Sequence, residues 1–264
     1  MAKEQRVVIL TRGGREHRHV TNVVSRSVRV SSVLVESRKP VSARVRAKQL
    51  GRRYTPLQLA ERAVLRVAKW MGRDAKRRDR ALRRVLGPSS DAFADDLCIV
   101  EVPDINGQAA RTHLDAMCPD MLLVYGTGIV RDSILGTARV GALNMHTGLS
   151  PEYRGSDCAF WPVHDQRFDL LGATVHECTS EVDGGVILAQ RHVQLQEGDG
   201  LHEIFARCVR TGADLYAECA AATLRIESIV GTRQDLSMGR EYRSWMRGIR
   251  PELRARLNLR SPVR

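Results

Sequence analysis

An α/β fold with a doubly wound, mostly parallel sheet is what the sequence predicts, and three observations carry it. Short apolar, often β-branched runs alternate with helical stretches through the first 145 residues, the pattern of strands joined by crossover helices. Two later runs, 172–178 and 186–193, alternate apolar with polar residues and are separated by the short "TSEVDGG" reversal, which reads as an antiparallel hairpin. At 264 residues and 43% hydrophobic, the chain is long enough to bury a sizeable core. The expected architecture is therefore Rossmann-like, with the hairpin following a strand that ends in Asn-x-His.

In chain order, "RVVIL" (6–10) is the first strand, and "TRGGREHRHV" is a Gly turn opening a helix. "VSSVLVE" (30–36), "LCIVEV" (97–102), "MLLVYG" (121–126) and "VGALNM" (140–145) are further strands, with a polar helix near 106–117. Leu201, Ile204, Phe205, Cys208, Val209 and Leu215 recur at helical spacing and predict a closing helix over 200–226. Residues 1–230 are expected to form one catalytic domain and 231–264 a basic C-terminal tail.

Residues 38–90 interrupt this rhythm. They hold 17 Lys/Arg against three acids, a local charge of +14, so the rest of a chain of net charge +12 sums to −2. Another +6 lies in 240–264. Basic charge confined to one segment and one tail does not fit a uniformly basic nucleic-acid binder. Thr55-Pro56 is a capping hydroxyl followed by a first-turn proline. Leu57, Val64, Val67 and Met71 follow at helical spacing, predicting a helical insertion whose apolar stripe packs on the domain or on a second subunit in a homodimer. A basic face for anionic lipid or for nucleic acid fits the same spacing.

Six scattered cysteines without a C-x-x-C pair suit reduced thiols in a cytoplasmic protein. No cysteine or histidine cluster has metal-ligand spacing, so no metal is expected. No apolar run reaches the roughly 20 residues of a membrane span, and the start reads as a strand rather than a signal peptide.

The densest stretch is "LNMHTGLSPEYRG" (143–155). Asn144 and His146 fall where a strand ends, and their i,i+2 spacing points both side chains to one side of an extended chain. In a parallel α/β sheet the carboxyl ends of the strands face the ligand. A carboxamide and an imidazole converging there can donate to an oxyanion and move a proton. Alone, an Asn-x-His pair at a strand end is more often structural than chemical.

"NMHTGLSPEYRG" followed by "GATVHECTSEVDGGVILAQ" resembles the folate-dependent formyltransferase family, which includes glycinamide ribonucleotide transformylase, methionyl-tRNA formyltransferase and the amino-sugar formyltransferases. The matching residues are Asn144, His146, Leu149, Pro151, Tyr153 and Gly155, then Gly172, Thr174, His176, Asp183 and Gly185. The resemblance implies an enzyme that carries a formyl group from 10-formyltetrahydrofolate to an amine. It gives Asn144 and protonated His146 the oxyanion of the tetrahedral intermediate. Asp183 would orient the imidazole and help relay the amine proton. The folate would lie against Ile129, Val130 and Leu135 in one loop and the backbone of Ser180, Glu181 and Val182 in the other.

The turn with Arg12, Gly13, Gly14 and Arg15 would face the acceptor, together with Thr147, Gly148, Tyr153, Arg154 and Gly155. Either the turn binds a phosphate or carboxylate, or it is a tight turn with solvated arginines. Thr147-Gly148 replaces the Pro-Ser of many family members, which would reshape the acceptor pocket. The resemblance implies no tRNA acceptor, because the C-terminal barrel of the tRNA-formylating members has no counterpart. The implied acceptor is a small-molecule amine, a nucleotide-linked amino sugar ahead of an amino or N-hydroxyamino acid. Hydrolysis of the donor is the principal rival, and a non-catalytic RNA- or membrane-binding relative is a third reading.

Overall fold

The computed structural model describes residues 5–37, 50–51 and 54–260. Residues 38–49 and 52–53 of the expected insertion, and the last four of the expected tail, lie outside the described residues.

Seven strands form the main sheet in the order β3-β2-β1-β4-β5-β7-β8. They are β1 (Val7–Thr11), β2 (Val30–Glu36), β3 (Ile99–Val102), β4 (Met121–Val124), β5 (Gly141–His146), β7 (Gly172–Glu177) and β8 (Ile187–His192). From β3 to β5 every pair is parallel; β7 and β8 turn antiparallel. The predicted α/β sheet and its terminal hairpin are both present. All five residues of β1 and all four of β4 are buried, as their continuous apolar runs require of central strands covered on both faces.

Helices α1 (Arg15–Val24), α3 (Asp74–Leu86) and α7 (Leu201–Ile226) cover one face, and α4 (Gln108–Met117) and α5 (Asp132–Leu135) the other. Period-2 alternation divides the strands between the faces. Leu143 and Met145 of β5 join Leu123 and Val175 under α7, whereas Ala142 joins Leu122 and Val124 under α4 and α5. Asn144 and His146 therefore emerge on the second face. They lie beyond the end of the α4–α5 layer, where loops rather than helices cover the sheet.

The chain beyond residue 230 folds back on the domain. β9 (Arg240–Tyr242) pairs in parallel with β6 (Tyr153–Gly155), just past the Asn-x-His strand. Helix α8 (Ile249–Arg260) contributes Ala255 to a third apolar cluster with Phe160, Trp161, Ile204 and Tyr242. The predicted cap of the insertion forms as read: α2 (Pro56–Met71) starts at Thr55, whose hydroxyl accepts from Gln58 N at 3.3 Å while Gln58 Oε1 accepts from Thr55 N at 2.9 Å. Its apolar stripe does not pack on the domain. Leu57, Val64, Val67 and Met71 are all more than half exposed.

Candidate active site

Strands β5 and β7 hold four polar groups against one another. Antiparallel pairing sets Asn144 opposite His176 and His146 opposite Thr174. Asn144 Nδ2 lies 3.0 Å from His176 Nε2. The β7–β8 connection then brings Asp183 back over the strands. Its two oxygens lie 3.4 Å from His146 Nδ1 and 3.4 Å from His176 Nε2, and Gly155 N donates to it at 2.7 Å. His146 is 7% exposed and His176 2%, so both imidazoles are desolvated, while Asn144 and Asp183 are half-buried.

Each imidazole is oriented from its far side. A carbonyl oxygen only accepts, so His146 Nε2 donates to Tyr153 O (2.9 Å) and His176 Nδ1 to Glu177 O (2.7 Å). That leaves His146 Nδ1 and His176 Nε2 toward the carboxylate. Asp183 has a left-handed backbone, φ 48°, and Gln234 Nε2 holds its carbonyl at 2.9 Å.

Burial opposes ionisation of Asp183. The charge of His146, the hydrogen bond and charge of His176 and the Gly155 N–H outweigh it, holding the carboxyl well below the usual carboxylate range. A depressed folded-state pKa stabilises the fold above the unfolded value, about 3.9 for aspartate. The contribution disappears as pH falls through the folded value. Asp183→Asn is expected to unfold at lower denaturant than the parent chain at pH 7, with the difference narrowing below about pH 4. A difference independent of pH would mean that the carboxylate charge adds nothing to stability.

Thr174 fixes the loop after His146. Its hydroxyl donates to Gly148 O at 2.7 Å and accepts from Ser150 N at 3.1 Å, which gives the Gly-x-Thr-x-His pattern a structural task. Gly148 lies under the imidazole, where an added Cβ would stand 2.6 Å from His146 Nε2 and 2.6 Å from Cys158 Cβ.

Other expected contacts are placed differently. Arg12 donates to Glu36 Oε2 through Nε and Nη2, and Arg15 bonds Asp79 and Asp91, so neither guanidinium is free for an anionic ligand. Beside them, Gly13 and Gly14 lead into α1. Tyr153, Arg154 and Gly155 act through backbone and packing. The Tyr153 ring is buried against Tyr242, Arg154 Nη2 donates to Leu236 O at 3.2 Å, and Gly155 supplies the N–H to Asp183. Tyr153 and Arg154 are buried where β6 pairs with β9. Thr147 does face space, lining a cavity of about 290 Å³ with Lys69, Arg78, Phe160, His202 and Arg247. This cavity is walled by α2, α3, α7 and the chain after 230.

In the first expected folate loop, Ile129 is 63% exposed, whereas Val130 is buried in the core with Leu10 and Ile105 and Leu135 packs on the same cluster. The side chain of Val130 is therefore core. Cys178, which opens the second loop, packs on that cluster too, so both loops border the same edge of the sheet. Ser180 and Glu181 are exposed and Val182 half-buried.

Two contributors escaped the sequence reading. His176 lies within the motif, but its part in the site comes from its contacts with Asn144 and Asp183. Gln234 has no local signal at all. Among the described residues no group of three or more His, Cys, Asp or Glu could hold a metal ion.

Relatives of known kind match over this region. The chain is 28% identical over 148 residues to the methionyl-tRNA formyltransferase of Chlorobium chlorochromatii, covering 56% of this chain and 47% of that protein. It is 30% identical over 161 residues to that of Anaeromyxobacter dehalogenans, covering 60% and 50%. It thus spans about half the length of these curated relatives. Two solved structures share the fold. A sugar N-formyltransferase from a Shewanella species superposes with TM-score 0.56 at 14% identity, covering 97% of this chain and 87% of that one. Glycinamide ribonucleotide transformylase 1 from Symbiobacterium toebii gives 0.57 at 18% identity, covering 89% and 94%. The family model described as formyl transferase matches residues 5–219, which contain the whole Asn144–His146–His176–Asp183 cluster: the chain belongs to the formyl transferase family.

Proposed function

We propose that this chain transfers a formyl group from 10-formyltetrahydrofolate to the amine of a small, anionic acceptor, with a nucleotide-linked amino sugar favoured. The reading rests above all on the convergence of Asn144, His146 and Asp183 at one half-open point of the sheet. The donor supplies an activated formyl carbon bonded to nitrogen. Asn144 donates an amide N–H to the formyl oxygen as negative charge develops on it. His146 exchanges its bond to Tyr153 O for one to the same oxygen, its charge supported by Asp183. Asp183 then passes the proton lost by the attacking amine toward the departing nitrogen, with one water bridging. His176 keeps the carboxylate in place from the other side and acts as a positioning residue.

Ile129, Leu135 and the backbone of Ser180, Glu181 and Val182 would hold the donor. The acceptor would enter past Thr147 into the cavity where Arg247 lies over the Phe160 ring and Arg78 over the Phe205 ring, and an anionic acceptor would have to share these guanidinia with Asp157, Glu252 and Glu16. The deciding experiment supplies 10-formyltetrahydrofolate in EDTA with a panel of amines and follows tetrahydrofolate release by absorbance. Release only with a nucleotide-linked amino sugar is expected. Equal release without amine would make the chain a hydrolase, the runner-up. Because the curated relatives are methionyl-tRNA formyltransferases, methionyl-tRNA belongs in the panel, and turnover with it alone would overturn the small-acceptor reading.

A further inference from the structure

Helix α2 is inside out. Its polar groups face the domain: Glu61 accepts from Ile249 N at 2.5 Å, Arg62 donates to Ser244 O at 3.2 Å, and Lys69 pairs with Glu252 at 3.6 Å. Its apolar groups face water. Leu57 is 80% exposed and Trp70 80%, with Val64, Val67 and Met71 between 54% and 71%. The three alanines interspersed among them, Ala60, Ala63 and Ala68, are exposed too. At 100° per residue these eight fall within one arc, and no charged or hydrogen-bonding side chain interrupts it. A surface helix ordinarily turns such a stripe toward its own core.

One border of the face is cationic. Arg66 flanks it on α2, Arg73 follows Met71, and Lys76, Arg77 and Arg80 lie in the next helix. All five are exposed, and among the described residues none of them has a carboxylate partner. Two copies of this chain meeting through α2 would set these cations against each other. An anionic bilayer meets them with opposite charge, takes the uncharged arc into its acyl boundary, and accommodates an indole at the headgroup level. No described helix is long and apolar enough to cross a membrane, so α2 would lie in the plane of the surface.

We propose that the outward face of α2 docks the protein on anionic lipid, with Leu57, Val64, Val67, Trp70 and Met71 inserted and the neighbouring arginines and lysine on headgroups. This does not depend on the reaction assigned above.

The test is co-sedimentation of the full chain with phosphatidylglycerol–phosphatidylcholine vesicles, against phosphatidylcholine alone. The expected result is binding to the anionic vesicles with a blue shift of Trp70 emission that Trp70→Phe removes. The triple variant Val64→Ser, Val67→Ser, Trp70→Ser should bind at least tenfold less and keep its unfolding midpoint, because all three side chains are exposed. Absence of binding, or equal binding by the triple variant, would overturn the proposal. So would a dimer in sedimentation velocity that the triple variant dissolves, which would assign the face to a second copy. Binding removed by RNase treatment would assign it to nucleic acid, with the same effect.

Discussion

Asn144→Ala, His146→Ala and Asp183→Ala are each expected to lower turnover by at least about 100-fold, the usual cost of losing an oxyanion donor or a proton-transfer group. The geometry makes the three losses distinguishable. Without Asn144 the formyl oxygen loses a donor, and His176 Nε2 loses the amide 3.0 Å away, so kcat falls while the charge pairing is kept. Without His146 the carboxylate keeps His176 and the Gly155 N–H, and the fold should persist with chemistry removed. Without Asp183 both imidazoles lose their shared anion, so that variant should show the largest change in pH dependence. Single-turnover rates, checked against unfolding midpoints, read the effect. A well-folded variant with near-parental turnover would remove that residue from the mechanism.

How far the sequence carried depends on whether an interaction is local. Most strand positions follow from short apolar runs and those of the hairpin from two-residue alternation, and the common side of Asn144 and His146 follows from their spacing. Both are properties of a few consecutive residues. What closes the site is not local. Asp183 reaches His146 across 37 positions, and Gln234 reaches Asp183 across 51. Arg12 and Arg15 look free in the sequence because their partners, Glu36, Asp79 and Asp91, are distant along the chain. Tyr153 and Gly155 match the motif, yet they work through a carbonyl and an N–H, which any residue possesses and no side-chain pattern reports. Helix α2 shows a related limit. Periodicity establishes that Leu57, Val64, Val67 and Met71 share a face, but it cannot say whether that face turns toward the domain, and here it turns away.

Gly155→Val should be nearly as damaging as loss of a catalytic group, with a different signature. Gly155 has φ 89°, a conformation that a β-branched residue rarely adopts. A Cβ there would stand 2.3 Å from Tyr242 O and 3.3 Å from Tyr242 N, where β6 and β9 pair. The side chain must therefore push the two strands apart as well as strain its own backbone. The combined cost is expected at about 2–4 kcal/mol. Activity should fall at least about 100-fold as well, because displacing β6 moves the Gly155 N–H from Asp183 and the Tyr153 carbonyl from His146 together. Gly198→Val is the control. Its φ is 79° and nothing lies within 4 Å of the added Cβ, so it carries the backbone strain without the collision. Denaturant midpoints and turnover of the two variants separate the effects. If Gly155→Val were no less stable than Gly198→Val and kept its turnover, the close approach of β9 would have no part in holding Asp183 and His146.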